Sequence, residues 1–180
     1  DTEGEMLFYQ SKVCEGVFHR ISSGTTRDGL EVFGKMEKGY LLSVDSNWDM
    51  YGDGYLSGHY FSEGALREQL EKAYPGLVFT EEPVENQINM YKRDKVGHIL
   101  SLTVGNKTIS GEEFRQLLEL PSSNFTMQAA DGKIRFLCKG QGHGLGLSQY
   151  GGNVLAKEGK SYKEILRYYF PECGVQKKDS

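Results

Sequence analysis

Glycine occupies every second position of Gly140-Gln141-Gly142-His143-Gly144-Leu145-Gly146, and the run continues as Leu147-Ser148-Gln149-Tyr150-Gly151-Gly152. Alternate residues of an extended chain face the same way, so this spacing predicts a strand with one bare face. Gln141, His143, Leu145 and Leu147 then line the other face. A bare face weakens a strand, because nothing packs on it and backbone entropy is lost. That cost is expected where a second backbone or a ligand comes very close. The run ends in Ser148-Gln149-Tyr150, a hydrogen-bonding cluster at a predicted helix start.

Turn residues and caps divide the rest of the chain. Met6–Tyr9 and Val13–Ile21 read as a hairpin of strands rich in aromatic and β-branched residues, and Gly39–Val44 as a further short strand. Residues 45–61 mix Asp, Gly, Asn and aromatics without a period and read as a loop. Glu63–Ala73 reads as a helix capped by Ser62 and ended by Pro75-Gly76. Ile88–Arg93, His98–Val104 and Lys107–Ile109 read as a meander turned at Gly97 and Gly105-Asn106. Ser110 to Glu113 is a capping box opening a helix with Phe114, Leu117 and Leu118 on one face, stopped by Pro121. Phe125–Ala129 and Lys133–Lys139 flank the hairpin turn Asp131-Gly132. A second capping box, Ser161 to Glu164, opens a last helix with Ile165, Leu166 and Tyr169 inward. The fold class is α+β, with mostly antiparallel strands and a few short helices.

Charge and cysteine usage narrow the function classes. With a net charge of −4 over 180 residues, no sequence-wide electrostatic argument favours nucleic acid, and no nucleic-acid partner is expected. Cys14, Cys138 and Cys173 lack metal-site spacing and read as small buried hydrophobes, with a disulfide open to an exported protein. His59 and His98 are isolated, and neither His-Glu-x-x-His nor Cys-x-x-Cys occurs, so no metal is expected. The glycine run lacks the Gly-Lys-Ser/Thr ending of a phosphate loop, and Ser148 lacks a nucleophile elbow. No cofactor is expected.

Several side chains of the run and its flank can hydrogen-bond either a ligand or the fold itself. His143, between two glycines, either pins the run through a backbone carbonyl or meets ligand, and one hydrogen bond serves both. Ser148 is a preferred cap. The Gln149 amide matches sugar hydroxyl and N-acetyl groups, and Tyr150 either stacks on a pyranose ring or joins the core. His19, followed by Ser22 and Ser23, either forms the polar floor of a cleft or is a half-buried strand histidine. If the bare face meets glycan or a partner strand, Gly144→Val removes strand binding from a domain that stays folded.

The segment Gly-His-Gly-Leu-Gly-Leu-Ser-Gln-Tyr-Gly at 142–151 resembles the signature of the stage II sporulation protein D / amidase enhancer family. Ala156 to Leu166 and Tyr168-Tyr169-Phe170-Pro171 resemble the family's ending. Val17 to Thr26 is similar to its segment ending in Ser-Gly-Gly-x-Thr, with Ser23 for a usual glycine and Arg27 for a usual acid. Arg93-Asp94 through Gly97, Val104-Gly105 and Ser110-Gly111 through Leu120 are similar too, and residues 50–86 diverge. The resemblance implies one family domain over 1–180, its C-terminal portion, with a small subdomain around 50–86. It implies an extracytoplasmic protein whose export signal or membrane anchor lies upstream of Asp1.

The activity implied is that of a peptidoglycan lytic transglycosylase, which cleaves the MurNAc–GlcNAc bond and leaves a 1,6-anhydro sugar. A single carboxylic acid serves, protonating the departing oxygen and then taking the proton of the C6 hydroxyl. The family's catalytic glutamate lies in an N-terminal segment with no match here, so no catalytic residue is assigned; Glu3, Glu5 and Glu15 are the nearest carboxylates, and none sits in that motif. A zinc site of some members would likewise rest on residues upstream. Implied partners are peptidoglycan glycan strands and a cell-wall amidase. The implied substrate-binding residues are His19, Ser22, Gln141, His143, Ser148, Gln149 and Tyr150. The alternative reading is a non-catalytic amidase enhancer that grips glycan and stimulates an amidase.

Overall fold

Strand and helix succeed one another where the turn glycines and capping serines place their ends. A computed structural model describes residues 4–177, so Glu3 lies outside the described residues. In chain order the elements are β1 (Glu5–Tyr9), β2 (Lys12–Val13), β3 (Phe18–His19), α1 (Gly29–Phe33), β4 (Leu56–Ser62), α2 (Glu63–Ala73), β5 (Ile88–Arg93) and β6 (Ile99–Val104). Then follow β7 (Lys107–Ser110), α3 (Gly111–Leu117), β8 (Phe125–Ala130), β9 (Lys133–Lys139), β10 (Leu147–Ser148), α4 (Gln149–Lys157), α5 (Tyr162–Tyr169) and β11 (Gly174–Lys177). The fold is α+β with mostly antiparallel sheets. The chain forms two compact units, Asp53–His143 and the remainder, 1–52 with 144–180.

The Asp53–His143 unit holds two antiparallel sheets, β4-β9-β8 and β5-β6-β7, with α2 and α3. Ser62 and Ser110 cap the helices by accepting the Ala65 and Glu113 N–H. Its core includes Leu66, Leu70, Ile99, Leu102, Phe114, Phe125 and Phe136, all buried. Phe125 meets Phe136 edge-on at 5.4 Å and stacks on Phe114 at 5.6 Å, geometries the ring quadrupoles favour. Cys138, fully buried, belongs to the same core.

The other unit joins both ends of the described chain. β1 is the middle strand of β11-β1-β2, and β3 pairs in parallel with β10. Leu7, Tyr40, Leu41, Leu145, Leu155, Tyr169 and Phe170 form its core. Ser161 and Glu164 complete a reciprocal capping box at the start of α5.

Three strand and loop expectations are corrected. Val13–Ile21 is not one strand: β2 ends at Val13, and β3, Phe18–His19, pairs with β10 instead. Gly39–Val44 is not a strand. Tyr40 and Leu41 are buried in succession, and the segment's backbone is satisfied by residues 26–29, with the Thr26 hydroxyl accepting the Val44 N–H and the Leu41 carbonyl accepting the Gly29 N–H. Residues 45–61 are not simply loop: Asn47–Tyr51 is a 3-10 turn and Leu56 begins β4. β4 is held by seven register pairs with β9, a tertiary partner that no local period announces.

Candidate functional site

The glycine run is not an extended strand. Gly140, Gly142, Gly144 and Gly146 have φ of +77°, +106°, +77° and +68°, while the intervening residues stay at negative φ. Every second residue thus takes the left-handed conformation that glycine alone enters freely. The two-residue period therefore marks alternating handedness rather than two faces, and only Leu147–Ser148 is strand. A close backbone approach does occur: a Cβ at Gly146 would overlap the Val17 carbonyl oxygen.

Flanking segments strap the second half of the run. Arg27 N donates to Gly144 O at 2.8 Å, and Leu147 N donates to Val17 O at 3.0 Å. The buried His19 ring lies with Nδ1 3.0 Å from Leu145 O. A carbonyl only accepts, so Nδ1 carries the proton in this contact. His19 also faces Ser148 in the β3–β10 register.

Below the run lies a buried acceptor that sequence patterns missed. Asp49 is fully buried. Its Oδ1 accepts the Ser148 hydroxyl at 2.9 Å, and its Oδ2 accepts the Ser22 N–H at 2.8 Å. Ser148 Oγ in turn accepts Gly151 N at 3.2 Å, and Ser22 Oγ accepts Gly24 N at 3.1 Å. One carboxylate therefore ties the 22–24 turn to the first turn of α4. The Ser148 hydroxyl is buried and engaged both as donor and as cap, which does not suit it as a nucleophile. Asp49 stands in an aperiodic stretch, Ser46-Asn47-Trp48-Asp49, so its only signal is tertiary.

α4 starts where this frame ends. Gln149, its first residue, is exposed. Tyr150 is half-buried, donates its N–H to Arg20 O at 3.1 Å, and rests its ring against Gly52. Gly151 is packed so closely that a Cβ there would overlap the Tyr169 hydroxyl, the Trp48 indole nitrogen and the Ser46 hydroxyl. The Tyr169 and Ser46 hydroxyls are 2.9 Å apart. Burial pushes the Tyr169 phenol up to about 12, against the opposing hydrogen bond of Ser46.

The structure thus gathers His19, Ser22, Ser148 and Tyr150 around the strapped run, with Gln149 at its exposed end. Gln141 and His143 belong to the Asp53–His143 unit. There the half-buried Gln141 donates its amide to Asp53 O at 3.3 Å, and His143 is half-buried as well. Glu5 is engaged elsewhere: Tyr162 and Lys163 hydrogen-bond its carboxylate and hold its pKa below the usual value. A general acid needs the opposite shift. Among the described residues, no group of three or more His, Cys, Asp or Glu is placed to hold a metal.

No family model matches the chain. It is 30% identical to the stage II sporulation protein D of Bacillus amyloliquefaciens over 180 residues, which is 99% of this chain and 50% of that protein. It is 28% identical to the protein of the same name from Bacillus subtilis (strain 168), with the same coverage. An amidase enhancer from Bacillus subtilis (strain 168) is 42% identical over 50 residues, 28% of this chain and 7% of that protein. The chain is therefore similar over nearly its whole length to stage II sporulation proteins D, and over a shorter stretch to an amidase enhancer. It spans about half the length of the stage II sporulation proteins D it matches.

Proposed function

We propose that this chain is the glycan-gripping part of a peptidoglycan lytic transglycosylase, acting on the outer face of the cell membrane. The reading rests on one observation above the others: a buried frame of Asp49, Ser22, Ser148 and His19 holds the run rigid and leaves Gln149 exposed at its edge. A rigid support makes a polar contact productive, because little ordering entropy is lost on binding. Gln149 carries the sugar contact, and Tyr150, His19 and Ser22 position it. Gln141 and His143, in the Asp53–His143 unit, are proposed as sugar contacts of that unit by itself. The carboxylic acid that protonates the glycosidic oxygen comes from the part of the protein corresponding to the relatives' remaining length, and the substrate's C6 hydroxyl closes the 1,6-anhydro ring.

The test uses purified glycan strands stripped of stem peptides, with mass spectrometry of the soluble fragments and co-sedimentation in parallel. This chain is expected to bind without releasing anhydro-ended fragments. Failure to co-sediment would overturn the reading. Anhydro-ended fragments would place the acid within the chain, and the carboxylates near its start would be mutated next. A second reading, an enhancer that stimulates a cell-wall amidase, is favoured by the 42% identity to the amidase enhancer. Faster stem-peptide release by an added amidase, with no glycan cleavage, is its signature.

A further inference from the structure

Cys14 and Cys173 are 159 residues apart in sequence, yet their sulfurs lie 3.6 Å apart. Phe8, in the middle strand β1, pairs with Val13 on one side and with Gly174 on the other. Cys14 directly follows Val13, and Cys173 directly precedes Gly174. Cys14 thus stands at the end of β2 and Cys173 just before β11, the two strands on either side of β1. Both are free, and a disulfide requires the sulfurs to close to about 2.05 Å. Cys14 also lines a cleft of about 420 Å³ whose walls include Tyr9, Lys12, Glu15, Lys38 and Tyr40. An oxidant thus has a route to Cys14, whereas Cys173 is 7% exposed.

We propose that Cys14 and Cys173 form an intrachain disulfide that fastens β2 to the start of β11. Its formation in the cell rests on the extracytoplasmic reading above, since such bonds persist only in oxidising surroundings. The oxidant is a disulfide, of the glutathione type or of a thiol–disulfide oxidoreductase. The Cys14 thiolate attacks one oxidant sulfur and expels the other as a thiolate. Cys173 then loses its proton and attacks Cys14 Sγ, expelling the second oxidant sulfur. The two cysteines give up two electrons and two protons, and the oxidant leaves as two thiols. Burial raises both thiols, Cys173 to about 12, so the reaction accelerates as pH rises. Cys138, fully buried in the other unit's core, stays reduced and serves as an internal control.

The measurement is a thiol count on denatured protein after incubation in a glutathione redox buffer, with peptide mapping of the crosslink. One reactive thiol, Cys138, is expected after oxidation, against three after reduction. The oxidised form is expected to melt at least about 5 °C higher. Cys14→Ser and Cys173→Ser should each show two thiols and lose the redox dependence of melting. Three thiols in the oxidising buffer, or a crosslink through Cys138, would overturn the pairing. A separate arm alkylates thiols at cell harvest. A crosslink that forms in the buffer but is absent at harvest contradicts the extracytoplasmic reading and leaves the pairing standing.

Discussion

Removing the Asp49 carboxylate strands two buried donors, the Ser22 N–H and the Ser148 O–H. Asp49→Ala should therefore destabilise the protein by about 2–3 kcal/mol, the cost of unsatisfied buried polar groups. Asp49→Asn should cost less, since its one oxygen still serves one donor and the Ser148 hydroxyl can turn to accept from its amide. Denaturant unfolding of the two variants checks the order; equal losses would mean that packing, not acceptor count, sets the role of Asp49. Gly144 is a second residue where structure changes the expectation. With φ at +77° and its carbonyl held by Arg27, Gly144→Val strains the backbone and should cost about 1–3 kcal/mol. Valine at 144 is therefore no clean probe of binding, contrary to the bare-face reading. An unchanged melting temperature would contradict the predicted strain. The glycines were legible as a constraint, but φ sign and facing direction both repeat every two residues. Sequence period alone does not separate them.

At the scale of elements, local chemistry was read well wherever it was self-contained. α2 and α5 begin at Ser62 and Ser161, and the β5-β6-β7 meander turns at Gly97 and Gly105-Asn106, because caps and tight turns are decided by a few neighbouring residues. β4, β3 and β10 were missed or misplaced because each exists through a distant partner. The site shows the same split. Ser148 was legible as a cap, whereas its acceptor Asp49 lies 99 residues away. A long-range tie of another kind joins β1 to α5, where Glu5 meets Tyr162 and Lys163. These partners lower the Glu5 pKa from 4.5. Its contribution is therefore complete above the unfolded value near 4.5 and disappears as pH falls through the lower folded value. The melting temperature of Glu5→Gln should lie below that of the unsubstituted protein at pH 7, and the gap should close on acidification towards pH 3. A gap that persists there would mean that packing, not charge, makes the tie.

On the scale of the whole molecule, the family resemblance and the matched relatives cover nearly all of the chain, while the structure divides it into two units. The glycine run spans the divide, its first half ending at His143 and its second beginning at Gly144. The proposed binding residues follow that division, with Gln141 and His143 in one unit and the framed set around Gln149 in the other. The most direct test of the glycan-gripping account is a binding titration of stem-peptide-free glycan strands against the folded chain and its Gln149→Ala variant. Gln149 is exposed, so its loss should leave the melting temperature unchanged. The account predicts measurable binding that weakens about fivefold or more in the variant, the effect of one lost hydrogen bond of about 1 kcal/mol. Equal affinity of the two proteins, or no binding by either, would contradict it.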